Sequence, residues 1–212
     1  MLKLGHPTVV APSLEEGFTH VRFCLDMDVP FGTRHAYMGT HNHRLRLGET
    51  VYLEIVAVDP FESAPRGPRW FGLDHSDTVR RNWEMGRRLR SWVANTSSMD
   101  RLLESFGGVF GVKRNLPEDG PEFSFAVPVD GSLPEDGALP SVIDHCGDTD
   151  FIATIPDFGA RLRHLDLACP EPERIADISR SLQIDRPPNV GSGESVRYRA
   201  VIDTPRGPME LW

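Results

Sequence analysis

A chain of 212 residues, 39% hydrophobic and 25% charged, can bury an adequate core without disulfides and has the composition of an ordinary globular protein. Its net charge of −8 makes a general nucleic-acid or anionic-membrane surface repulsive, and no apolar run approaches the roughly 20 residues a membrane helix needs. Cys24, Cys146 and Cys169 are odd in number and share no CxxC spacing, and the N-terminus leaves no room for a signal peptide, so the expectation is a cytoplasmic soluble protein with free thiols.

In chain order, residues 6–11 read as a strand rich in β-branched residues. Ser13 with Glu16 three positions on forms a capping-box pattern, and Leu14, Phe18, Val21 and Leu25 follow at helical spacing. After a Pro/Gly break at 30–32, strands are predicted over 34–38, 42–47 and 51–58, with Gly39 and Gly48 in the turns. Residues 1–59 thus read strand, helix, strand, strand, strand. Residues 60–90 read as a connecting segment, a proline-rich loop and then a partly helical stretch with Arg80, Arg81, Arg87, Arg88 and Arg90. Those arginines suit either a solvated face or an electropositive rim for an anionic substrate.

Residues 91–145 read as a second, divergent unit. It has a strand at 91–94, a helix presenting Met99, Leu102, Leu103 and Phe106 and stopped by Gly107-Gly108, and strands at 123–129 and 141–144. Residues 161–212 read as a third, shortened unit. Pro172 sits in the first helical turn, Ile175, Ile178 and Leu182 make the helix face, and strands at 196–203 and 209–212 flank a Thr204-Pro-Arg-Gly-Pro turn.

The first and third units share more than their order. His6 and His164 each open a short apolar run with a proline six residues later, and a closing strand carries Glu54 or Glu210, 48 and 46 residues on. In the middle unit Asp144 falls at the glutamate position, and Ser91 or Trp92 replaces the histidine.

His6-Pro-Thr-Val-Val-Ala-Pro-Ser-Leu, Arg34-His35 with Met38-Gly-Thr-His-Asn42, Tyr52-Leu-Glu54-Ile and Asp203-Thr-Pro-Arg-Gly-Pro-Met-Glu210-Leu together resemble the vicinal oxygen chelate superfamily, most closely its glyoxalase-like domain proteins. The resemblance spans nearly the whole chain apart from residues 60–90. It implies an α+β fold in which repeated βαβββ modules form cupped mixed β-sheets with helices outside, the glyoxalase/bleomycin-resistance/dioxygenase fold. It also implies a divalent metal (Ni, Zn, Fe or Mn) held by His6, Glu54, His164 and Glu210, with Glu54 or Glu210 able to act as base.

A six-coordinate ion in such a set keeps open positions for a substrate's adjacent oxygens and acts as a Lewis acid. Ligation by His6, His164 and one glutamate would instead give the facial triad of non-heme iron oxygenases. Arg34 is a candidate for a substrate carboxylate, and His41, on one face with His43, is a candidate for lining the cup. Adjacent strand residues point to opposite faces, which argues against Cys146 and His145 as a catalytic dyad.

Two pairings of the units stay open. The first with the third gathers all four metal candidates; the first with the second places His6, Glu54 and Asp144 opposite Ser91 or Trp92 and leaves His164 elsewhere. The implied activity is isomerase, lyase or dioxygenase chemistry on a small substrate with vicinal oxygens. The alternatives are a metal-free binding protein similar to antibiotic-sequestering resistance proteins, and a scaffold for a protein partner. A small-molecule substrate or ligand is the expected partner, a homodimer is left open, and neither nucleic acid nor membrane is expected.

Overall fold

The computed structural model describes residues 2–120, 122–146 and 150–212. Its first unit comprises β1 (Leu2–Val10), α1 (Leu14–Leu25), β2 (Phe31–His35), β3 (Thr40–Arg46) and β4 (Tyr52–Val58). The capping box forms: Ser13 Oγ accepts the Glu16 N–H at 3.2 Å and donates to its carboxylate at 2.8 Å. Asp26, in the left-handed region at φ 50°, closes the helix. The strand expected over 34–38 lies earlier, because Ala36–Met38 tighten into a 3-10 turn that ends at Gly39, φ 59°.

β4 runs parallel to β1, with Thr8 beside Glu54, and β3 and β2 continue antiparallel from it. Alternation then sorts the side chains. Leu53, Ile55 and Ala57 join the core under the helices, whereas Tyr52, Glu54 and Val56 face the other way.

The second unit repeats this order with β5 (Leu89–Asn95), α3 (Met99–Phe110), β6 (Val112–Leu116), β7 (Phe123–Val127) and β8 (Ser141–Asp144), and β5 pairs parallel with β8. α3 passes through Gly107 and Gly108 and stops at Gly111, φ 87°, where a Cβ would come within 2.1 Å of the Val127 carbonyl oxygen. The close approach to β7 ends the helix, not the glycine pair. β1 and β5 pair antiparallel, His6 beside Val93, and fuse the two units into one curled half-barrel sheet in the order β2-β3-β4-β1-β5-β8-β7-β6.

The third segment departs from the module pattern. β9 (Arg161–Cys169) and α4 (Pro172–Ser181) keep the expected opening, but β11 (Asn189–Ser192), β12 (Arg197–Thr204) and β13 (Gly207–Leu211) assemble in the order β11-β9-β12-β13. Here the opening strand lies between β11 and β12, whereas in the first two units it pairs with the closing strand. The short β10 (Ile184–Asp185) is the strand of this segment that pairs with the large sheet, beside the start of β1. Leu165, Leu167, Tyr198, Ala200 and Ile202 share the helix-side core with Trp92, so that tryptophan points away from the cup.

The connecting segment supplies Trp70, Phe71 and, with α2 (Ser76–Glu84), Val79 to a separate cluster on the cup side, with Val10, Val56, Val93 and Phe125. Four of the arginines named in residues 60–90 are structural ties, whereas Arg81 is exposed. Arg80 pairs with Glu16, Arg87 and Arg90 both reach Asp136, and Arg88 lies over Trp83. Among the described residues no helix is long and apolar enough to cross a membrane.

α1 lies so close to the sheet that a Cβ at Gly17 would meet Ile55 Cγ2 at 2.4 Å and Ala11 Cβ at 2.9 Å. Helix propensity alone favours Gly17→Ala by about 1 kcal/mol. Overpacking against two strands is expected to reverse the sign, giving a net loss of about 1–3 kcal/mol in urea unfolding. A variant as stable as the parent would show that α1 is not seated this tightly.

Candidate functional site

A cavity of about 380 Å³ opens on the cup face of the large sheet. One wall comes from the first unit: His6 on β1, Asn42 and Arg44 on β3, Tyr52 and Glu54 on β4, and His35 at the end of β2. The facing wall comes from the second unit and is mainly apolar, with Phe123, Phe125 and Ile143, then His145 just past β8. Trp70 and Phe71 of the connecting segment complete it.

Residues spaced by two along neighbouring strands put the polar groups on one face. His6 Nε2 lies 3.3 Å from Glu54 Oε2, with the two residues only 3% and 5% exposed. Asn42 Nδ2 donates to Glu54 Oε1 at 2.7 Å, and the His6 ring stacks on Tyr52 with centroids 4.3 Å apart. Burial pushes the Glu54 carboxyl up, but His6, His35 and Asn42 outweigh it and hold the group below the ordinary glutamate value. Glu54 is therefore an ionised carboxylate at neutral pH. Burial pulls His35 down to about 4 against the attraction of Glu54, which leaves its imidazole neutral there.

Arg44 sits directly opposite Glu54 in the β3–β4 register. Yet the carboxylate turns to His6 and Asn42, and among the described residues no carboxylate pairs with Arg44. Its Nε is buried without a hydrogen-bond partner, as are His6 Nδ1 and Trp70 Nε1 around the same cavity. Buried polar atoms are seldom left so, and three around one cavity mark a wall with unspent hydrogen-bonding capacity.

Of the residues singled out in the sequence, the structure brings His6 and Glu54 together and places His164 and Glu210 elsewhere. The latter two flank Val201 across β9, β12 and β13 of the smaller sheet. There His164 lies 3.4 Å from Asp166, and Glu210 accepts from Arg199 at 3.0 Å. Their separation follows from the pairing: β5, not β9, lies alongside β1. Asp144 does not line the cavity, whereas His145, one residue on, does. Arg34 lines it but is tied to the fully buried Asp59 at 2.5 Å, and His41, 3.5 Å from the same carboxylate, lies outside. His35, Asn42, Arg44, Tyr52 and His145 went unread as site residues. Counting in twos from Glu54 finds Tyr52, and from Asn42 finds Arg44.

The donors in this cup do not fit the four-ligand metal set that the resemblance implies. His6 and Glu54 supply one imidazole and one carboxylate, already in contact with each other. Among the described residues no group of three or more His, Cys, Asp or Glu side chains is placed to hold a metal ion.

Comparison with known proteins places this architecture. A hypothetical protein from Staphylococcus aureus, 13% identical, superposes with a TM-score of 0.63 over 96% of this chain and 92% of its own. Methylmalonyl-CoA epimerase from Streptomyces coelicolor, solved with 2-nitronate-propionyl-CoA, is 13% identical with a TM-score of 0.39 over 69% of this chain and 97% of its own. The corresponding epimerase from Mycobacterium tuberculosis is 14% identical with a TM-score of 0.38 over 66% and 85%. No curated protein sequence matches. The profile described as "Glyoxalase-like domain" matches residues 4–182, a span that takes in both βαβββ units and the start of the smaller sheet. With its two modules joined through β1 and β5, the chain belongs to the glyoxalase-like domain family.

Proposed function

We propose that this protein is an enzyme that moves a proton on a small, oxygen-bearing substrate held in the cup, with Glu54 as the base. The observation that carries this reading is the Glu54 carboxylate itself: ionised, nearly buried, and fixed from two sides by His6 and Asn42 in the wall of a cavity of about 380 Å³. That volume suits a small organic molecule. Burying a charge is costly, and its electrostatic effect is larger in such surroundings than in water.

In the proposed step a C–H bond next to a substrate carbonyl breaks. The proton passes to Glu54, and the bonding pair moves onto the carbonyl oxygen as an enolate. Return of the proton to the same or the neighbouring atom gives an epimerised or isomerised product. His6 and Asn42 aim the carboxylate, and Phe123 and Phe125 provide an apolar surface for the rest of the molecule.

Proton NMR in D₂O with a panel of 2-oxo acids and 2-hydroxy ketones tests this. The expected result is wash-out of the proton beside the carbonyl for at least one compound, slowed about 100-fold or more in Glu54→Gln. An unchanged rate in that variant would remove Glu54 from the role. Binding without exchange by any member would mark a sequestering protein instead.

Metal-assisted chemistry would need donors beyond His6 and Glu54. Protein purified without chelators is therefore expected to carry well under one Ni, Zn, Fe or Mn ion per chain, with exchange indifferent to EDTA. One ion per chain, lost in His6→Ala, would establish a metal-dependent mode.

A further inference from the structure

The hydrogen-bonding capacity of the ionic groups in the cavity wall is unevenly spent. Glu54 is engaged by His6 and Asn42, Arg34 is neutralised by Asp59, and His35 is uncharged at neutral pH. Glu122, the other acid of the wall, is exposed and therefore screened by solvent. What is left is the Arg44 guanidinium, without an ion pair among the described residues. It is also held in place. Arg44 lies across the Gly32 backbone, where an added Cβ would come 2.6 Å from its Nε.

We propose that Arg44 is the anchor for a substrate carboxylate, so that the cup takes small organic acids with an aromatic or alkyl body. A guanidinium matches a carboxylate with two parallel N–H donors, whereas a lysine offers a single point charge. Phe123, Phe125 and Ile143 across the cavity provide the apolar surface for the body. Register supplies the connection to the chemistry. Arg44 and Glu54 are direct cross-strand partners, and such pairs have Cβ atoms about 5 Å apart. An acid gripped by Arg44 therefore carries its adjacent carbons beside the Glu54 carboxylate. This inference rests on reading the cup as a binding site, and it adds the charge of the ligand.

Calorimetric titration with phenylacetate, phenylpyruvate and 2-oxohexanoate, each beside its methyl ester, tests it. The acids are expected to bind about 10-fold or more tightly than their esters. Arg44→Gln is expected to erase that preference by weakening the acids about 10-fold or more and the esters less, with an unchanged urea unfolding midpoint showing that the cup is still folded. Arg44→Lys is expected to restore part of it. Esters that match the acids in the parent protein, or an acid preference that survives Arg44→Gln, would overturn the role of Arg44 and leave the cup as a binding site. If neither acids nor esters bind, both this inference and the reading of the cup fall together.

Discussion

The antiparallel pairing of β1 with β5 decides where every other chemical group lies. Because His6 stands beside Val93 in that seam, the first unit's polar strand faces meet the second unit's apolar ones across a single cavity. A strand has two faces and a period of two, so a one-residue change of register would turn His6 and Glu54 into the helix-side core. That core admits no such change. Val9, Leu53 and Ile55 are fully buried in it, and Gly17 allows α1 to sit against Ile55 and Ala11. The packing on one face of the sheet thereby fixes the chemistry on the other.

Within the cup, strand alternation leads to an uneven use of charge. Glu54 has Arg44 directly across from it on β3, and the obvious ion pair would join the two. It binds the His6 imidazole and the Asn42 amide instead, and these keep the carboxylate ionised despite its burial. An ionised carboxylate and a guanidinium that do not pair with each other therefore stand side by side, facing an aromatic wall. The proposed carboxylate anchor and proton transfer both use this arrangement, and neither requires residues from the smaller sheet.

How much of this was legible in the sequence depends on what each residue reported. The capping box at Ser13, the helical face of α1 and the order of the first unit are local signals, and they form as read. β6 leaves no apolar strand signal because Val-Lys-Arg-Asn-Leu is polar through its middle, as suits the edge strand it becomes. The His/Glu recurrence in the third segment was real as text but carried no information on strand order. With β9 set between β11 and β12, His164 and Glu210 belong to a row of polar contacts on another sheet, His164 beside Asp166 and Glu210 paired with Arg199. Arg34 looked like the carboxylate anchor because nothing in the sequence shows that the distant Asp59 neutralises it. Arg44 could be found only by following the β3 alternation inward from Asn42.

The most direct measurement of the central claim is a crystal structure of the protein soaked with phenylpyruvate. The ligand is expected in the cup, its carboxylate on Arg44 and its adjacent carbon within about 3.5 Å of a Glu54 carboxylate oxygen, the reach of a near-attack contact. Density in the groove beside His164 on the smaller sheet, with the cup empty, would contradict it.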